Sequence, residues 1–145
     1  MSQKYKVMVV GMGKRGMHHA ATFHANPRFQ VAGICDIDMG RMQAAAPKLG
    51  NPEMSTDAAA LAKAIKPDVF CFCTLPGLRT SLIEAGIASG ARLLAFEKPV
   101  ALTSAEGFRV RELITKSGVK AVVSHQHRYG SHYRKVKEII ASGAL

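Results

Sequence analysis

Tyr5-Lys-Val-Met-Val-Val-Gly-Met-Gly-Lys-Arg-Gly16 is the stretch that decides the fold. Tyr5 to Val10 is an apolar, β-branched run ended by glycine, which reads as a buried strand. Gly11-Met12-Gly13-Lys14-Arg15-Gly16 then matches G-x-G-x-x-G, and Lys14 to Ala25 reads as a helix. A second strand, Phe29 to Cys35, leads into Asp36, which stands 20 positions past Gly16. The glycine pattern alone is weak. Between a strand and a helix, with an acid at that distance, it describes a dinucleotide-binding βαβ unit.

The spacing has physical reasons. Gly11 permits the tight turn, Gly13 lets a pyrophosphate approach the backbone, and Gly16 lets helix and strand pack closely. The helix N-terminus offers free N–H groups and a positive dipole end to phosphates. Gly11, Met12, Gly13, Lys14, Arg15 and Gly16 are therefore expected to bind the cofactor. The Asp36 carboxylate can accept from both ribose hydroxyls, which favours NAD by repelling a 2′-phosphate. Lys14, Arg15 and Arg41 pull toward NADP. NAD is expected, with NADP open. The plainer alternatives are a glycine turn without a ligand and an Asp36 that only caps a helix or faces solvent.

Outward from this unit, strands and helices alternate. A helix over Asp38–Leu49 has Asp38 as N-cap and Pro47 weakening its last turn. A short strand near Met54 precedes a helix over Asp57–Ile65, capped by Thr56. Then follow a strand Val69–Cys73, a helix Leu78–Ser89 closed by Gly90, and a strand Leu93–Phe96. Thr103-Ser-Ala-Glu106 is a capping box that opens a helix reaching about Lys116 and ending at Gly118. A strand Val119–Ser124 and a helix Tyr133–Ala141 complete the chain. This order predicts an α/β fold: a Rossmann-type, doubly wound, mainly parallel six-stranded sheet with helices on both faces. Ligands of such sheets sit beyond the carboxyl ends of the strands, where strand order switches.

Composition bounds the function classes. The chain has 145 residues, the size of one domain. Its net charge of +10 raises nucleic acid as a partner, but the basic residues are dispersed, and the densest run is Arg128, Arg134, Lys135 and Lys137. Without interleaved aromatics or zinc-finger spacing, no nucleic-acid partner is expected. Cys35, Cys71 and Cys73 fall in predicted buried strands and read as structural thiols. No segment approaches a membrane span or a signal peptide, so a cytoplasmic protein without a membrane partner is expected. His125, His127 and His132 cluster in sequence without an acid or thiol nearby, and no metal is expected. His18 and His19, just past the glycine loop, read as surface or packing residues.

Glu97-Lys98-Pro99 follows the fifth strand. A lysine at a strand's carboxyl end could hydrogen-bond a substrate oxygen over the nicotinamide, and if partly desolvated it would be tuned for proton transfer. A surface salt bridge is the competing reading.

Taken together, these motifs resemble the Gfo/Idh/MocA family of NAD(P)-dependent oxidoreductases. The resemblance rests on Val10-Gly-Met-Gly-Lys-Arg-Gly16, Cys35-Asp-Ile-Asp38, Thr74-Leu-Pro76, Phe96-Glu-Lys-Pro-Val100, His125-Gln-His-Arg-Tyr129 and the segment from Ile139 to Ala144. It implies that Lys98 and Glu97 are catalytic, Lys98 assisting hydride transfer at a hydroxyl-bearing carbon of a sugar, polyol or related substrate and Glu97 positioning it. It implies that Thr74, Leu75 and Pro76 line the cofactor together with Glu97 and Lys98, and that Gln126 and Arg128 lie at the edge of the site. Two features depart from the family. Arg79 stands where a histidine is usual, and Leu75-Pro76-Gly77 replaces a Pro-Asn turn. The family's further acid/base pair, Asp-x-x-x-His, has no counterpart here. Residues 1–124 are thus read as a cofactor-binding domain and 125–145 as the start of a truncated second α+β domain, which would hold the substrate contacts and any homo-oligomer surface. A non-catalytic NAD(P)-binding regulatory or scaffold module is the alternative.

Overall fold

The computed structural model describes residues 4–144. Six strands form one sheet: β1 (Tyr5–Val10), β2 (Phe29–Cys35), β3 (Glu53–Ser55), β4 (Val69–Phe72), β5 (Leu93–Glu97) and β6 (Lys120–Ser124). Their order is β3-β2-β1-β4-β5-β6, and every pairing is parallel. The helices are α1 (Lys14–Ala25), α2 (Met39–Ala45), α3 (Ala58–Ile65), α4 (Arg79–Ala88), α5 (Ser104–Ser117) and α6 (Ser131–Ala141). This is the doubly wound sheet that the alternation of elements predicts.

The period-2 geometry of strands sorts the core into two layers. Met8, Val10, Phe70, Phe72, Leu94 and Phe96 point to one face, where Leu61 and Ile65 of α3, Leu82 and Ile83 of α4, and Val110 of α5 cover them. Val7, Val9, Val31, Val69 and Cys71 point to the other, against Ala20 of α1 and Met42 and Ala45 of α2. Burial on both faces explains why Val7 to Val10 of β1 and all of β4 read as unbroken apolar runs. At the far edge, β6 is mostly exposed, and α6 buries no residue.

Local chemistry sets the element ends, and some differ from the sequence reading. Pro47 does break the second helix, which turns 3₁₀ over Ala46–Leu49. The cap of α3 is Asp57, not Thr56: its carboxylate accepts from the Ala60 N–H at 2.9 Å. The Ser55 hydroxyl accepts from the Asp57 N–H at 3.0 Å, which fixes Asp57 in the capping position. β4 stops at Phe72, so Cys73 lies past the strand and is only partly buried. A 3₁₀ turn over Pro76–Leu78 precedes α4, and another over Gln126–Tyr129 precedes α6, which starts two residues earlier than the predicted Tyr133. The Thr103–Glu106 capping box forms as predicted. Among the described residues, no helix is long and apolar enough to cross a membrane.

Candidate functional site

The loop after β1 lies where strand order switches, between β2 on one side and β4 on the other. Gly11 has φ +85°, a left-handed conformation that disfavours side chains. Its N–H donates to the Cys35 carbonyl at 2.7 Å, and the Cys73 N–H donates to the Val10 carbonyl at 2.8 Å. The loop is thereby tied to the ends of β2 and β4. A Cβ on Gly11 would meet the Cys73 carbonyl oxygen at 2.8 Å. Gly13, by contrast, faces open space, with no atom within 4 Å of where its Cβ would be. It is the N-cap of α1, without a side-chain cap and with no acidic residue in the first turn. An uncapped helix start opening onto free space beside a glycine fits a pyrophosphate.

Asp36 is 7% exposed, and both carboxylate oxygens accept backbone hydrogen bonds. One takes the Met12 N–H at 2.5 Å, and the other takes the Asp38 N–H at 2.9 Å. Asp36 therefore braces the glycine loop. It is neither a helix cap nor a solvent-exposed acid. Arg41 is paired with Asp38 at 3.3 Å, and Lys14 is exposed.

The second cluster forms at the carboxyl end of β5. Glu97 is 8% exposed. Its Oε1 accepts from Arg15 Nη2 at 2.7 Å and from Arg15 Nε at 3.0 Å, and it lies 2.8 Å from His19 Nε2. Burial works to raise the Glu97 carboxyl, but the hydrogen bonds from His19 and Arg15 outweigh it and hold the group below its usual range. Glu97 is thus anchored to α1, and none of these bonds reaches Lys98. Lys98 is exposed, on a cis Lys98–Pro99 bond.

Arg15, Cys73, Thr74, Glu97, Lys98 and Gln126 line one cavity. Lys98 also borders an adjoining hollow with Gln126 and Arg128. The structure therefore brings together the expected Arg15, Thr74, Glu97, Lys98, Gln126 and Arg128, which lie far apart in sequence. Leu75 is 79% exposed, and Pro76 opens the 3₁₀ turn beside Thr74. His19 was missed by sequence reasoning: its position one turn past Arg15 puts both side chains on one face of α1, but nothing local pointed to Glu97. His19, Cys73 and Glu97 bring a ring nitrogen, a thiol and a carboxylate oxygen within 4.8 Å of one another. Within this group, Glu97 Oε1 is already hydrogen-bonded to Arg15 and His19.

Arg79 was visible in the sequence only as a departure. It is 2% exposed, with its guanidinium 5.5 Å from the Phe72 ring centroid and 5.3 Å from that of Phe96. Its Nη2 donates to the Pro99 carbonyl at 3.0 Å, which ties α4 to the turn carrying Lys98. Its Nε and Nη1 are buried without partners.

Residues 5–125 match the family model described as "Oxidoreductase family, NAD-binding Rossmann fold". The chain is 24% identical over 145 residues to D-glucoside 3-dehydrogenase of Escherichia coli, covering 99% of this chain and 41% of that protein. The structure of scyllo-inositol dehydrogenase from Lactobacillus casei with bound NAD(H) and scyllo-inositol superposes with a TM-score of 0.88 at 19% identity, over 99% of this chain and 42% of that one. Biliverdin reductase from Synechocystis, with biliverdin and NADP+, superposes with a TM-score of 0.84 at 22% identity, over 94% of this chain and 43% of that one. The chain thus spans about two-fifths of the length of the proteins it matches.

Proposed function

Since the chain belongs to the oxidoreductase family with an NAD-binding Rossmann fold, we propose that it is the cofactor-binding part of a dehydrogenase for small hydroxylated molecules, sugars or polyols foremost. The observation that carries this reading is the cavity where Arg15, Thr74, Glu97, Lys98 and Gln126 meet. It lies at the carboxyl ends of β4 and β5, next to the tied glycine loop. Bound NAD(H) supplies the hydride-transfer chemistry.

The chain's own residues bind, orient and polarise. Gly11 to Gly16 and the start of α1 hold the pyrophosphate, with Met12, Lys14 and Arg15 as loop contacts. Asp36 braces that loop and turns its charge toward the ribose. Arg41 stands at the same end and decides how far a 2′-phosphate is tolerated. Thr74, Leu75 and Pro76 flank the nicotinamide end. Lys98 Nζ donates a hydrogen bond to the substrate oxygen and polarises its bond to carbon. Glu97, clamped by Arg15 and His19, fixes the backbone from which Lys98 projects. Gln126 and Arg128 close the outer edge. In this reading residues 1–124 are the cofactor domain, and 125–145 begin a second domain. The glucoside and inositol dehydrogenases among those relatives support the substrate class.

Calorimetric titration of this chain with NAD(H) and NADP(H) in parallel tests the reading. NADH is expected to bind, and more tightly than NADPH. Heat from neither would overturn it. In the longer protein, Lys98→Ala should keep NADH binding and lose turnover at least a hundredfold, in the range of general acid–base contributions.

A further inference from the structure

At the end of the sheet opposite the candidate site, β1, β2, β4, β5 and β6 begin with Tyr5, Phe29, Val69, Leu93 and Lys120. Strand register turns these side chains to the face that α1 and α2 cover. The next three helices, α3, α4 and α5, pack on the other face, and α6 buries nothing, so on this side the sheet stands open beyond α1. There the five residues meet Arg28, Asp68 and Arg92, which stand one residue before β2, β4 and β5, around a cavity of about 310 Å³. The six-residue β1 sets it about 20 Å from the glycine loop.

The walls divide by chemistry. Val69 is 4% exposed and forms an apolar floor with Leu93. The Tyr5 and Phe29 rings stand 6.0 Å apart, and Phe23 of α1 meets Phe29 edge-on at 5.2 Å, which holds that ring in place. The Arg92 guanidinium lies 5.6 Å from the Tyr5 ring centroid. Asp68 is the one acid on the lining, and it accepts from the Lys6 N–H at 2.9 Å. Arg92 stands 3.8 Å from it, too far for a hydrogen bond. The Arg28, Arg92 and Lys120 side chains donate no hydrogen bond among the described residues. Three cations with free donors thus face one acid, beside aromatic and aliphatic surface. Such a lining attracts an anion and gives a flat apolar body a place to lie. Its volume is at the small end for ligand pockets, which suits one or two rings and not a dinucleotide.

We propose that this cavity is a second ligand site, which takes a small aromatic carboxylate. The ring system lies on Val69 and Leu93 beside Tyr5 and Phe29. The carboxylate takes hydrogen bonds from the Arg92 guanidinium and from the flanking cations Arg28 and Lys120.

The experiment is calorimetric titration of the whole chain, at low ionic strength, with 2-naphthoate and with 2-naphthol, an uncharged body of similar size. One naphthoate per chain is expected to bind with a Kd below about 1 mM, and at least about fivefold tighter than naphthol. Arg92→Gln, and the double variant Arg28→Gln with Lys120→Gln, should each weaken naphthoate at least about fivefold. Lys63→Gln, an exposed change on α3, should leave it within about twofold. Saturating NADH should leave naphthoate binding unchanged. No binding up to about 5 mM, equal affinity for naphthol, affinity unmoved in both cavity variants, or an equal loss in Lys63→Gln overturns the proposal. Displacement by NADH would put naphthoate at the cofactor site and overturn it as well. If the chain binds no NADH, the proposed function falls alone, and the variants still decide this site.

Discussion

Gly16 of α1 lies so close to Gly11 that a Cβ on Gly16 would fall 1.6 Å from the Gly11 carbonyl oxygen. The helix can approach the loop only because Gly16 carries no side chain, while the missing Gly11 side chain makes room for the Cys73 carbonyl. Gly16→Ala should cost about 3 kcal/mol or more in a urea melt, since backbone rather than a flexible side chain blocks the methyl. Gly13→Ala should change stability by less than about 1 kcal/mol, because its Cβ meets nothing and its backbone is extended. It should still weaken NADH binding at least tenfold. If both variants lose stability equally, the division between a packing glycine and a ligand-facing glycine is wrong.

Asp36 has two buried jobs, so a single change should show both. Asn offers one oxygen where two backbone N–H groups now find acceptors. Asp36→Asn should cost about 1–3 kcal/mol through the unsatisfied donor. It should also raise the affinity for NADPH relative to NADH, as the repelling charge is gone. Thermal melts and paired titrations read the two effects separately.

The Glu97 clamp predicts a pH window. Its carboxyl is held below the usual value of 4.5 in the folded chain. The stabilisation is therefore complete above the unfolded value and is lost as pH falls through the lower folded one. The melting-temperature gap between the native chain and Glu97→Gln should be constant above about pH 5.5 and narrow steadily below about pH 4.5. A gap that stays constant down to pH 3 would show that the Arg15 and His19 bonds contribute nothing to the folded state.

Arg79 separates volume from charge. Arg79→Ala should lose about 3–5 kcal/mol, as it empties the space between Phe72 and Phe96. Arg79→Met fills most of that space and removes two unpaired buried nitrogens, so it should be at least 2 kcal/mol milder. Equal loss in both variants would mean that the hydrogen bond to Pro99, not packing, is what α4 needs there.

What could be read from the chain beforehand follows the range of the interactions. The βαβ unit, the capping box and the strand periods depend on neighbours a few residues apart, and each formed where its residues stand. The choice of Asp57 over Thr56 depended on a hydroxyl at Ser55, one residue outside the capping pattern. The Glu97 clamp was out of reach, because its partners lie 82 and 78 residues away on a helix with no mark of that contact. Arg79 ran against expectation more strongly still. Arginine belongs at a surface by its chemistry, and only the assembled Phe72 and Phe96 rings and the Pro99 carbonyl make an interior position tolerable.

The seam between β1 and β4 has a kinetic consequence. Strands β1 to β3 and strands β4 to β6 are two local units, and one long-range pairing joins them. Loop closure over some 60 residues precedes that pairing, so joining the two units carries the largest closure entropy of any pairing in the sheet. The glycine loop and the end of β4 lie on opposite sides of this seam. A molecule seated across them acts as a staple between the two units: it delays their separation and leaves the rate at which they first meet unchanged.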